Sequence, residues 1–386
     1  MKQSEENVCA AASQCGACSG RTGDYVRQLQ KKEAGVRALL GKYGKVLPIL
    51  GMEEPAHYRC KVHAVFGSSR ARGGNYQVIS GTYRRGTHRV VKVDSCLLDD
   101  QRADRIIYTI RQLMPSFKLQ PYDEDRGAGL LRHVLIRTGY YTGQIMVALV
   151  TAGPLFPSRR NFVKALLDRH PEITTIAQNI NGARTSMVLG KRNITLYGKG
   201  FITDRIGEKI FAISPNAFYQ VNPRQTQILY KTAIDMAGLT GREKILDAYC
   251  GVGTIGICAA DHAGSVLGIE LNTDAVRDAR GNAKRNGAEN VSFICADAAK
   301  YLREHKTDRY DVIFMDPPRS GSAKEFIHIA AKAAARIVYV SCNPQTLARD
   351  LELFRKEGWK AEKIQPVDMF PFTQHTEVVV LLQRTS

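Results

Sequence analysis

Apolar residues recur at two different periods along this chain, and the change of period divides it. Residues 23–43 (DYVRQLQKKEAGVRALLGKYG) carry Val26, Leu29, Val36, Leu39 and Leu40 at helical spacing before a glycine stop. That spacing predicts an amphipathic helix. From about 58 to 210, short apolar runs are separated by glycine and asparagine turns. Strands are predicted at HRVVKVDSCL, HVLIRTGYYTGQIMVALVT, EITTIAQNI and NITLYGKG, with one helix at NFVKALLDRH. An α+β domain is expected there.

From about 240 the pattern becomes a regular alternation. KILDAYC, SVLGIE, NVSFICADA, YDVIFMDPP and IVYVSC read as strands. Helices are predicted from Thr273 to Asn286, through FIHIAAKAAA and at LARDLELFRKEG, and two last strands near KAEKIQPVDMF and HTEVVVLLQR. Apolar strands alternating with amphipathic helices predict an α/β, Rossmann-like doubly wound sheet, mostly parallel. Ligands in such sheets bind beyond the carboxyl ends of the strands. Three regions are expected: a cysteine-bearing segment and helix at 1–45, an α+β domain at 46–210, and the doubly wound domain at 211–386.

Charge sharpens this division. The 386 residues carry a formal net charge of +18. Residues 1–210 hold 33 Lys+Arg against 17 Asp+Glu, while residues 211–386 hold 22 against 20. A basic half joined to a nearly neutral one suggests a nucleic-acid-facing part and a chemical part. No apolar run reaches the roughly 18 residues of a membrane span. The start, MKQSEENVCAAASQCGACSG, lacks an apolar signal core. A cytoplasmic protein without a membrane partner is expected, so its nine cysteines point to metal binding or catalysis before disulfides.

The first alternating strand ends in Asp247-Ala248-Tyr249-Cys250, followed by Gly251-Val252-Gly253-Thr254-Ile255-Gly256. Glycines let the backbone turn tightly beside a helix N-terminus and approach a ligand. Glu270, ending the next strand, is placed to accept hydrogen bonds from a ribose diol. A nicotinamide dinucleotide and S-adenosylmethionine both suit that pattern. The D-x-Y-C-G-x-G opening and Asp316-Pro317-Pro318 at another strand end favour S-adenosylmethionine. Arg319 stands where an amine-directed methyltransferase would carry a stacking aromatic, which leaves methylation of carbon.

Carbon 5 of uracil becomes nucleophilic only when something adds to carbon 6, and a thiolate suits that conjugate addition. Cys342, at the tip of the IVYVSC strand, occupies such a position. Asn343 is expected to cap the next helix and Pro344 to begin it. The adjoining helix N-terminus is expected to draw the thiol toward its thiolate. Asp368, His375 and Glu377 are the candidate bases for removing the carbon-5 proton; Glu377 opens the final strand.

FYQVN (218–222), LDAYCGVGTIG (246–256), MDPPRSG (315–321), VSCNPQTLARDL (340–351) and HTEVV (375–379) together resemble the RNA uracil-5-methyltransferase family. The resemblance covers most of residues 211–386 in the family's order. It implies Cys342 as nucleophile and Glu377 as general base. It also implies Gln220, Tyr249, Glu270 and Asp316 as S-adenosylmethionine contacts, and Phe218 as an aromatic near the target base.

Cys9-x5-Cys15-x2-Cys18 is a ligand-like cluster without a second CxxC. Three close cysteines with a distant fourth fit a [4Fe-4S] cluster better than zinc. The resemblance implies Cys96, in KVDSCLLDD, as the fourth ligand, with Cys60 in YRCKV as competitor. It further implies 23S rRNA in preference to tRNA, and a short form without an N-terminal β-barrel module. A monomer with no obligate protein partner is expected. Cys250, Cys258 and Cys295 are read as packing residues.

Overall fold

The alternation after residue 240 folds as one eight-stranded sheet. The computed structural model describes residues 9, 11–18, 24–70 and 76–385. These fall into two compact units, one of residues 1–22, 55–205 and 213–216, the other of 23–54, 206–212 and 217–386. In the second unit the strands are β1 (Lys45–Val46), β2 (Lys244–Ala248), β3 (Ser265–Glu270), β4 (Val291–Cys295), β5 (Tyr310–Met315), β6 (Ala334–Ser341), β7 (Trp359–Val367) and β8 (Glu377–Arg384). Their order is β1-β7-β8-β6-β5-β2-β3-β4. All neighbours run parallel except β8, which is antiparallel to both β6 and β7. Strand order reverses between β2 and β5, so a crevice opens beyond the carboxyl ends of those two strands.

Helices follow the strands as the periodicity predicts at Thr254–Ala259, Thr273–Arg285, Lys324–Ala333 and Pro344–Lys356, and a further one, Ala298–Glu304, was not foreseen. Each buries an apolar stripe against the sheet, as Leu347, Leu351 and Phe354 do on the last. The helix Tyr25–Leu40 also belongs to this unit, and Val36 and Leu40 join its core. The compact division thus differs from boundaries at 45 and 210, because 23–54 lie with the doubly wound sheet and β1 extends it. The buried face of that helix also differs from the apolar spacing. Val26 is 57% exposed, whereas Lys32 is buried.

The first unit holds a seven-stranded sheet in the order Val90–Lys92, Tyr76–Tyr83, Lys61–Arg70, Leu131–Thr138, Ile145–Thr151, Ile173–Ile180, Arg192–Tyr197. The predicted helix appears as Arg159–Arg169 and links the one parallel pair. A second helix, Gln101–Ser116, was not foreseen; it buries Ile106, Ile107, Ile110, Leu113 and Met114 in the same core. This confirms an α+β layer. Basic residues concentrate in the unit, with 26 Lys+Arg against 12 Asp+Glu. Among the described residues no helix is long and apolar enough to cross a membrane.

Candidate active site

The glycine loop after β2 owes its shape to left-handed backbone. Tyr249 (φ 64°), Gly251 (φ 55°) and Gly253 (φ 81°) all lie there. A Cβ on Gly253 would meet the Phe293 ring at 2.6 Å, while the space beside Gly251 is open. Gly256 lets the following helix approach Asp247, whose Oδ2 accepts the Gly256 N–H at 2.8 Å. A Cβ at 256 would stand 2.9 Å from that oxygen. Burial, with Asp316 and Glu270 nearby, pushes the Asp247 carboxyl up to about 7. At the end of β3, Glu270 accepts N–H groups from Gly251 (3.2 Å) and Asn272 (2.8 Å). A carboxylate therefore borders an open glycine cradle, which fits an adenosine-bearing methyl donor.

On the other side of the crevice, β5 ends in Asp316-Pro317-Pro318. Burial raises the Asp316 carboxyl to about 7. The loop that follows is pinned at several points. Gly321 N–H donates to the Pro318 carbonyl (2.8 Å), and Ser322 N–H to Asp350 Oδ2 (2.8 Å). The Ser322 hydroxyl meets the Tyr249 hydroxyl at 3.0 Å, so the glycine loop and the Asp-Pro-Pro loop brace each other. Asn343 Nδ2 and Thr346 Oγ1 both donate to the Arg319 carbonyl.

Cys342 follows β6 immediately. Asn343 caps the next helix, accepting the Gln345 N–H, and Pro344 begins it, as the sequence predicts. The thiol itself differs from expectation. It is pushed up to about 11 by burial and by the Glu377 and Asp316 carboxyls, while Arg319 pulls the other way. Burial and two neighbouring carboxyls act against the pull expected of the helix terminus. Glu377 is buried and raised to about 8 by burial and Asp316, with Arg319 again opposing. Because β8 runs between β6 and β7, Glu377 does not sit on an edge strand.

Of the other two candidate bases, Asp368 is committed elsewhere. Asp368 is fully buried and bound by Lys32 Nζ (2.5 Å) and the Tyr25 hydroxyl (2.7 Å). His375 is exposed, with its ring edge-on to Phe370. Phe218 is 64% exposed and Gln220 buried, in the run leading to Asn222. Asn222 in turn donates to the Met369 carbonyl (3.0 Å), on the loop that ends at Glu377.

Two contributors escaped sequence reasoning. Arg319 was read only as a missing aromatic, yet its charge bears on both Cys342 and Glu377. Asp350 binds Ser322 N–H, the Tyr339 hydroxyl (2.7 Å) and the Arg349 guanidinium. Its signal was available: an acid on the buried Leu347–Leu351–Phe354 stripe of a helix. Of the cysteines read as packing, Cys250 is buried and Cys258 partly so, but Cys295 is exposed.

The candidate metal ligands lie in the first unit. Cys15 Sγ accepts from Thr82 Oγ1 (3.6 Å). Arg59 donates to the Ala17 carbonyl (3.1 Å) and pairs with Asp99. Cys96 Sγ accepts the Leu98 N–H (3.5 Å); burial and Asp99 push its thiol up to about 12. Cys60 is buried and raised to about 12. As placed, these thiols do not form a ligand set: among the described residues no group of three or more His, Cys, Asp or Glu side chains is disposed to hold a metal ion.

Comparison with known proteins agrees with the geometry of the second unit. Residues 24–385 match the model of the tRNA (uracil-5-)-methyltransferase family. An uncharacterized RNA methyltransferase of Oceanobacillus iheyensis is 41% identical over 377 residues, covering 95% of this chain and 81% of that protein. Another, of Halalkalibacterium halodurans, is 39% identical, with 98% and 83% covered. Among solved structures, the Pyrococcus abyssi tRNA (uracil-54, C5)-methyltransferase in complex with S-adenosyl-L-homocysteine superposes with a TM-score of 0.77 at 27% identity. That match covers 93% of this chain and 83% of the other.

Proposed function

The chain belongs to the tRNA (uracil-5-)-methyltransferase family, and on that premise we propose that it methylates carbon 5 of a uridine in 23S rRNA through a covalent adduct with Cys342. S-adenosylmethionine supplies the methyl group. The Gly251–Gly256 loop, Glu270, Tyr249, Gln220 and Asp316 are the residues that would hold it, and Phe218 would lie against the target base. The target uridine leaves its stack to reach the thiol.

The Cys342 thiolate adds to carbon 6, and the displaced electron pair makes carbon 5 enolate-like. Carbon 5 would then take the methyl group as the methyl–sulfur bond of the donor breaks and S-adenosylhomocysteine leaves. Glu377 removes the proton that remains on carbon 5, the double bond re-forms, and Cys342 leaves as thiolate. The observation that carries this reading is the grouping of Cys342, Glu377 and Asp316: beside the effect of burial, the Asp316 carboxyl raises Glu377, both carboxyls raise Cys342, and Arg319 opposes both shifts. Glu377 must be ionised for the proton-removal step, and its carboxyl is held near 8 by burial and Asp316.

The choice of rRNA rests on the Cys9, Cys15 and Cys18 spacing, and the basic first unit would supply much of the RNA grip. The solved relative acts on tRNA. Purified 23S rRNA and tRNA, incubated separately with protein and labelled donor, decide between them: label in 23S rRNA supports the proposal, and label confined to tRNA overturns it.

Although these thiols are not disposed as a ligand set in the structure, we further propose that Cys9, Cys15, Cys18 and Cys96 would draw together to hold a [4Fe-4S] cluster. Its support is the spacing, together with Arg59, which reaches the Ala17 carbonyl and pairs with Asp99, three residues beyond Cys96. About four iron and four sulfide per chain after anaerobic purification would support it; iron-free protein with full activity would overturn it. The proposal also has the protein act in the cytoplasm as a monomer, which fractionation and size-exclusion chromatography test.

A further inference from the structure

The loop 368–376 joins β7 to β8 and delivers Glu377 to the site. It has no regular structure, and Phe372 within it adopts φ 60°, an uncommon conformation for a bulky side chain. Such backbone persists only where its surroundings impose it. Here they are supplied by a helix more than 300 residues earlier in the chain. Lys32 Nζ donates to both Asp368 Oδ1 (2.5 Å) and the Phe370 carbonyl (3.0 Å). The Tyr25 hydroxyl donates to Asp368 Oδ2 (2.7 Å), and its ring packs 5.5 Å from that of Phe372. Gln28 Oε1 accepts the Phe372 N–H (2.7 Å).

Tyr25, Gln28 and Lys32 stand at i, i+3 and i+7, so one helical face presents all three polar groups to one loop. Two further side chains complete the grip: Gln225 Nε2 donates to the Asp368 carbonyl (3.0 Å) and Asn222 Nδ2 to the Met369 carbonyl (3.0 Å). A buried lysine is costly without a partner, and core stability alone would be served by an apolar residue there. The cation instead spans two points of the loop.

We infer that Tyr25, Gln28 and Lys32 are positioning residues for the base, clamping the 368–376 loop so that Glu377 meets the carbon-5 proton. The inference rests on Glu377 being that base. Loosening the clamp slows the last chemical step while leaving thiol addition and methyl transfer intact. Covalent protein–RNA adduct then accumulates, which simple loss of folded enzyme does not produce.

The test uses the full chain with unmodified 23S rRNA and tRNA transcripts and S-adenosylmethionine. Adduct is read on denaturing gels, turnover by methyl incorporation, and folding by Tm. Lys32→Met is the strong variant; Tyr25→Phe and Gln28→Ala keep the test open where Lys32→Met does not fold. Expected is a roughly tenfold to hundredfold fall in turnover, as for ångström-scale misplacement of a catalytic group, with adduct above wild-type level. Glu377→Gln is the reference. If it traps adduct while the folded clamp variants turn over normally, or lose turnover without adduct, the clamp inference is overturned. If Glu377→Gln turns over normally, the assignment of the base fails, and the clamp with it.

Discussion

Ser341, the residue before Cys342, pairs with Val378, the residue after Glu377, across the antiparallel ladder of β6 and β8. Continued one step past its last pair, the same ladder would set the proposed nucleophile Cys342 opposite the proposed base Glu377. Directly opposed residues in an antiparallel pair point to the same face, with Cβ atoms roughly 5 Å apart. The 368–376 loop holds the first residue of β8, and the ladder sets which residue of β6 or its end that residue faces. The register of two buried strands sets that facing, and a one-residue slip would send every side chain of β8 to the other face.

This pairing gives the reaction a definite pH dependence. Glu377 accepts a proton only when ionised, and its carboxyl is held near 8. We therefore expect the rate of the proton-removal step, read as decay of the covalent adduct in a single turnover, to rise with pH through about 8. Arg319 favours the anionic forms of both Glu377 and Cys342. Arg319→Met should move the rising limb upward by roughly half to one pH unit, and less at high salt, since the guanidinium is exposed and screened. A limb that stays in place would remove Arg319 from the account.

The same shift has a stability consequence. A carboxyl whose folded value lies above its unfolded one binds its proton more tightly in the folded state. Its contribution is fully present below about 4.5 and is lost as pH rises through about 8. Glu377→Gln escapes that loss. Its Tm should match wild type near pH 4 and exceed it at pH 9, at roughly 2–4 °C per kcal/mol for a unit of this size. A constant difference across the range would contradict the sign.

Much of this was legible in the sequence where one strand and its end carry the message. KILDAYC with its glycines, SVLGIE with Glu270 and IVYVSC with Cys342 each combine an apolar run with a polar terminus, and the fold places those termini at one crevice. What escaped was set by long-range partners. The strand content of HTEVVV is local, but its place between β6 and β7 is not. Asp368 read as a possible base because nothing near it in sequence names Lys32 and Tyr25 as its partners. The helix Gln101–Ser116 was hidden by its charged start and by Pro115, although its isoleucines keep helical spacing.

Two glycine substitutions should separate donor binding from stability. Gly253→Ala places a Cβ 2.6 Å from Phe293 at φ 81°, which the loop cannot accept without moving. We expect donor affinity to fall at least tenfold by calorimetry, roughly 1.4 kcal/mol. Gly281 lies within a helix, and a Cβ there meets nothing within 4 Å. Gly281→Ala should raise stability by about 0.5–1 kcal/mol with unchanged donor affinity. Equal effects at the two sites would show that the cradle has no special role.

Asp350 provides the sharpest test of how the Asp-Pro-Pro loop is held. It is fully buried and binds Ser322 N–H, the Tyr339 hydroxyl and Arg349, and through Ser322 it reaches Tyr249. Asp350→Ala strands a buried hydroxyl and an N–H and leaves Arg349 without its carboxylate, costing about 2–4 kcal/mol. Asp350→Asn keeps an acceptor and should cost less. The local consequence is specific: the 319–322 segment loses its anchor at Ser322, which loosens the placement of Arg319 although Asn343 and Thr346 still hold its carbonyl. Hydrogen exchange should therefore speed up at Ser322 and its neighbours in Asp350→Asn while β2 and β3 stay protected. Turnover should fall by more than donor affinity does. If donor affinity and turnover fall together and exchange accelerates throughout the sheet, Asp350 serves the core as a whole and not the loop.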